Sequence, residues 1–135
     1  MTTVLSEADL QRVLETIENG SSQELNLLYE GLQIDRCELL NQVAIAVARL
    51  FTSARRDFHD CDAIMNTLFS AIIDVSLSAD MPEPAFSIYL AFDAGEYWHR
   101  GDAQDVMPWE KWTRPELERI LRGLGDGASG GHPPG

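Results

Sequence analysis

Apolar residues recur along most of this chain at intervals of three and four. Leu10, Val13, Leu14 and Ile17 follow the i, i+3, i+4, i+7 spacing of one helix face, and Ser6 with Asp9 supplies the start signal of a capping box with an acidic variant. Asn19 and Gly20 stop that helix. Ser21 or Ser22 can cap a second one, with Leu25, Leu28, Tyr29 and Leu32 facing inward and Gly31 weakening its end. From Asp35 the pattern changes: no charge separates Glu38 from Arg49, and Leu39, Leu40, Val43, Ala46, Val47, Leu50 and Phe51 cover more than one face. A helix that is apolar around most of its circumference belongs at the centre of a bundle, and the alanines at 44, 46 and 48 permit close neighbours.

A fourth helix is predicted from Asp60 or Asp62 as cap, with Ile64, Met65, Leu68, Phe69, Ile72 and Ile73 at helical spacing. Strand is the weaker alternative for residues 72–77, because no second β-favouring run pairs with it. Pro82 and Pro84 break the chain, and a fifth helix carrying Phe86, Tyr89, Leu90 and Phe92 is expected to run out near Gly95 or Gly101. The stretch "TRPELERILRGLG" predicts a last helix with Thr113 as N-cap, Glu116 three residues on, Pro115 in the first turn and Gly125 past the end. Trp112, just before that cap, fits a hydrophobic staple against Leu117. The expectation is an all-α, single-domain bundle of five or six helices over residues 1–124, followed by a disordered Gly/Pro-rich tail, 125–135.

Composition narrows the functional classes. The 135 residues fit one domain, and 44% hydrophobic content is too high for a disordered chain. Twenty-two acids against ten bases leave a net charge of -12, which opposes direct binding of nucleic acid and favours a basic partner. Residues 1–10 lack a basic start followed by an apolar run, and no uncharged run approaches the roughly 20 residues of a spanning helix, so a cytoplasmic protein without membrane attachment is expected. Cys37 and Cys61 lack CxxC spacing and read as free thiols serving as small hydrophobes.

The charge is unevenly placed. Residues 57–110 hold eleven acids and one base, whereas 111–135 hold three acids and four bases. Within "FDAGEYWHRGDAQDVMPWEKWT" (92–113), Tyr97, Trp98, His99, Trp109 and Trp112 sit among five acids and only Arg100 and Lys111. Carboxylates beside aromatics are what a basic, concave partner surface would recognise. The alternative, a solvated surface with indoles pinning a loop to the bundle, fits at least one tryptophan.

Catalytic signals are sparse. "HDCD" (59–62) and the Glu-x-x-His spacing of Glu96 and His99 contain potential metal ligands, but a di-iron bundle site needs two such motifs and further glutamates, and zinc needs three or four ligands. No GxSxG elbow, phosphate-cradling glycine loop or evident Cys-His pair occurs. No enzyme, metal or cofactor is therefore expected; a metal-dependent enzyme remains the third reading.

In size, helical pattern and the blocks "FDAGEYWHRGD" and "PWEKWTRPELERIL", the chain resembles the small acidic helical immunity proteins that bacteria encode beside toxins. That resemblance implies a cytoplasmic binder that captures one cognate toxin, often a nuclease, and covers its active site. The expected partner-binding residues are Asp93, Glu96, Trp98, Asp102, Asp105 and Trp109, joined by Asp57, Asp60 and Asp62. A second reading is an adaptor or regulator that holds a basic protein helix in a groove lined by Met65, Phe69 or Phe86.

Overall fold

A computed structural model describes residues 6–18, 30–31 and 34–128, with side chains as far as Leu124. Among the described residues the fold is all-α, with helices α1 (Glu7–Glu18), α2 (Arg36–Thr52), α3 (Phe58–Ser76), α4 (Ala85–Ala94) and α5 (Arg114–Ala128). A single π-helical turn, Trp109–Thr113, runs directly into α5. The helix predicted from Ser21 or Ser22 lies outside the described residues, except for Glu30 and Gly31, which are helical.

The uninterrupted apolar character of α2 has the expected result. It buries Leu39, Leu40, Val43, Ala44, Val47, Ala48 and Phe51 and touches each of the other four helices. Ala44 and Ala48 are fully buried, whereas Ala46 is only half-buried and faces a groove described below. Cys61 packs against α2 as a buried free thiol, and burial pushes it up to about 12; Cys37 is also free. An aromatic cluster closes one end of the core. Phe51 meets Phe58 and Phe92 edge-on, and Phe58 stacks on Trp109 with centroids 4.8 Å apart.

The helix starts follow local hydrogen-bond chemistry. The Asp9 amide donates to Ser6 Oγ at 3.1 Å, as the capping pattern predicts. For α3 the cap is Asp57, not Asp60 or Asp62: its carboxylate accepts from the Asp60 amide at 2.8 Å. Only Asp57 has the extended backbone a cap requires, and the two later aspartates are already inside the helix. Helix α4 borrows its cap from another element, since the Ala85 amide donates to Asn41 Oδ1 on α2 at 3.0 Å. Residues 72–76 are helical, which sets aside the strand alternative.

Two predictions about the last helix need correction. Thr113 is not an N-cap, because the π turn continues without interruption into α5, and its hydroxyl instead donates to Ala91 O at 2.7 Å. Gly125 does not end the helix, which continues to Ala128; glycine stops a helix only where it takes a left-handed conformation. Residues 129–135 lie outside the description.

Candidate contact surface

Residues 95–108 form an irregular connection that is fixed at both ends. The end of an α-helix leaves four carbonyls without helical donors, and here each is satisfied. Ala91 O accepts from the Thr113 hydroxyl, Phe92 O from the Gly95 amide, Asp93 O from the Glu96 amide and Ala94 O from His99 Nε2 at 2.7 Å. A carbonyl can only accept, so Nε2 of His99 carries the hydrogen. Gly95 is where α4 and the π turn press together: a Cβ there would lie 2.1 Å from Thr113 Oγ1 and 2.8 Å from Trp109 Cα. Only glycine permits that approach.

Asp102 is the centre of the connection. Its Oδ1 accepts from Lys111 Nζ at 2.6 Å, and its Oδ2 accepts from the His99 amide at 2.8 Å and the Trp112 indole at 2.9 Å. The Asp102 amide returns a bond to His99 O, closing a turn in which Gly101 has φ +86°. That positive φ is the demand a type II turn makes at its third position. With 3% of its side chain exposed, Asp102 points inward, and Lys111 and the Trp112 indole hold its carboxyl down at about 2. Where the sequence reading places Asp102 toward a partner, its carboxylate faces the loop's own donors. What looked like a surface charge is the internal acceptor of a loop.

Trp109, also expected at the interface, is half-buried against Phe58 and the edge of His59. Trp112 does not staple Leu117; it bonds to Asp102 and tilts onto His99, which also stacks on Tyr97. The result is a three-ring layer of Tyr97, His99 and Trp112 with centroid spacings of 4.6 and 4.3 Å. Along the connection Tyr97 is 53% exposed, Trp98 43%, Val106 42% and Met107 49%. Sequence reasoning missed Val106 and Met107. The signal was present in "DVMP", an apolar pair that belongs to no helical stripe and so has no core to enter.

The acids divide into three groups. Asp102 pairs with Lys111, and Glu110 with Arg114 through two bonds of 2.5 and 3.2 Å, so two of the five carboxylates in this stretch are neutralised internally. Asp105 is exposed, as is Asp60 in the first turn of α3, while Asp57 is occupied as a cap. The third group is a cluster of Asp62, Asp93 and Glu96. Asn66 Nδ2 donates to Asp62 Oδ2 at 3.2 Å and to Glu96 Oε2 at 3.1 Å, while Asp62 Oδ1 is buried with no hydrogen-bond partner. Burial, followed by the nearby Glu96, raises Asp62 to about 8; the same two causes raise Asp93.

Glu96 and His99 do not share a helix face, because both lie beyond the end of α4 and point to different partners. Among the described residues, no group of three or more His, Cys, Asp or Glu is arranged to hold a metal ion. Of the residues expected to line an adaptor groove, Met65 is fully buried, and Phe69 and Phe86, both half-buried, stack on Tyr89. No helix among the described residues is long and apolar enough to cross a membrane. No family model, curated protein or solved structure matches the chain.

Proposed function

We propose that the chain is a non-catalytic binding protein whose contact face is the connection 95–108, and that it acts in the cytoplasm as an immunity protein, neutralising a toxin by covering a basic cleft. The observation that carries this reading is that Tyr97, Trp98, Val106 and Met107 are all exposed on one connection, which Asp102 ties through the His99 amide and Lys111. Aromatic and methionine side chains supply the desolvated anchors of protein interfaces, and a pre-ordered loop loses little conformational entropy on binding. Glu96 and Asp105 give the face its negative charge, which would steer a basic partner toward it.

The test is co-expression with the product of the adjacent gene. That product should arrest growth alone, this chain should restore growth, and the pair Trp98→Ala with Met107→Ala should abolish both rescue and binding. A harmless neighbour, or a toxic one that this chain does not bind, would sink the proposal. The adaptor reading places a basic helix against Met65, Phe69 or Phe86 and expects a housekeeping partner, so a pull-down that returns such a partner would separate the two.

A further inference from the structure

A second surface shares no residue with the connection 95–108. An open groove of about 840 Å³ runs between α1 and the C-terminal half of α2. Its apolar side is Leu10, Leu14, Ala46 and Leu50, and its rim carries Arg49 and Arg55 on the α2 side and Glu7 on the α1 side. Leu14 is buried, but Leu10, Ala46 and Leu50 are only half-covered by the described residues. The charge of the rim runs against the molecule: the chain has ten bases, and three of them, Arg49, Arg55 and Arg56, line this one groove. Arg56 is engaged by Glu18. Arg49 and Arg55 are exposed and have no carboxylate partner among the described residues, in a protein of net charge -12.

Acids are plentiful enough to neutralise every arginine, and Arg12, Arg114 and Arg119 are each paired with a carboxylate one helical turn away. Arg49, Arg55, Arg100 and Arg122 have no carboxylate partner among the described residues, and of these Arg49 and Arg55 flank half-covered leucines in the groove. We infer that this groove is a docking site for an acidic amphipathic helical segment of a partner protein, with apolar side chains on the Leu10–Leu50 floor and carboxylates on Arg49 and Arg55. The dimensions suit this occupant. The lining spans two helical turns on each wall, about 10 Å, enough for anchors at i, i+3 and i+4 of a docked helix. Arginine favours bidentate pairing with carboxylates, so the rim selects charge as well as shape. The inference does not depend on the role proposed for the connection 95–108.

The test uses the full chain and a fluorescein-labelled peptide of about 14 residues, with leucines at i, i+3, i+4 and i+7 and glutamates elsewhere. Its twin carries lysine at every glutamate position. By fluorescence anisotropy the glutamate peptide should bind at least about tenfold more tightly than its twin, and binding should weaken with added salt. Arg49→Glu with Arg55→Glu should reduce the affinity at least about tenfold, while Arg122→Glu on α5 should leave it unchanged. Absence of binding, equal binding of the two peptides, or equal sensitivity to Arg122→Glu overturns the inference. So does sedimentation as a dimer that the Arg49/Arg55 variant dissociates, because a second copy would then be the occupant.

Discussion

Asp62→Asn should stabilise this protein in alkaline solution and do little in acid. One carboxylate oxygen of Asp62 is buried without a partner, and the other shares Asn66 with Glu96. Burial and the neighbouring carboxylate raise the group to about 8, against an ordinary value of 3.8. A carboxyl raised in the folded state binds its proton more tightly there than in the unfolded chain. Its stabilising contribution is therefore complete below about pH 4 and is lost as pH rises through about 8. Each pKa unit corresponds to about 1.4 kcal/mol, giving a ceiling of roughly 5–6 kcal/mol. Asp62 is only half-buried and Glu96 is exposed, so screening by solvent reduces the expected effect to about 1–2 kcal/mol. The asparagine amide carries no charge and can donate toward Glu96 while its oxygen still accepts from Asn66. Urea unfolding of both proteins at about pH 3.5, 5, 7 and 9 is the assay. The two should have similar stability at about pH 3.5, and the variant's lead should grow as pH rises, to about 1–2 kcal/mol at pH 9. Titration of cysteines in the unfolded chain is common to both and cancels. A difference that does not change with pH, or a variant less stable at pH 9, would refute the reasoning.

Other substitutions test the remaining joints. Gly95→Ala places a methyl group against backbone at Trp109 and the Thr113 hydroxyl, and should cost about 3 kcal/mol in a chemical-denaturation experiment. Ala54, in the turn after α2, holds φ at 61° while the Arg55 amide reaches back to Leu50 O. Ala54→Gly relieves that conformation and should raise stability by about 0.5–1 kcal/mol; a loss would show the turn to be unstrained. Asp102→Ala should speed amide exchange across residues 96–106 and raise acrylamide quenching of tryptophan fluorescence, while far-UV circular dichroism stays near wild type. Because the folded state holds Asp102 down at about 2, its support is present above the ordinary carboxylate range and is lost as pH falls through about 2, so wild-type exchange in this loop should accelerate only in strong acid.

The helices were legible because their signals are local. The stripe Leu10, Val13, Leu14, Ile17 depends only on spacing, and the apolar surround of α2 announces its central place. Choosing among Asp57, Asp60 and Asp62 as cap depends on which backbone is extended, which composition does not encode. Thr113 misled because the same hydroxyl suits a cap or a cross-helix donor, and the orphaned Ala91 carbonyl belongs to a helix 22 residues earlier. The charge of the connection was overcounted in a similar way. Counting acids between 93 and 110 gave a strongly negative loop, yet Lys111 and Arg114 neutralise Asp102 and Glu110. Those pairings span nine and four residues, and only the first required the loop to fold.

The structural role of the connection 95–108 bears on the binding role proposed for it. A loop that merely tied α4 to α5 would gain nothing by keeping Tyr97, Trp98, Val106 and Met107 in water. A loop that only presented a binding face would be costly to order at the moment of contact, by about 1–2 kcal/mol for each residue fixed. Here the ordering is already complete in the free protein. Asp102 satisfies three donors, His99 closes the last carbonyl of α4, and the ring layer is stacked before any partner arrives. Binding energy from the exposed side chains is then available for affinity instead of for folding the loop. On the proposed reading, the acids most important to recognition need not touch the partner: Asp102 would act by holding the aromatic face in place, while Glu96 and Asp105 would be the ones to meet it.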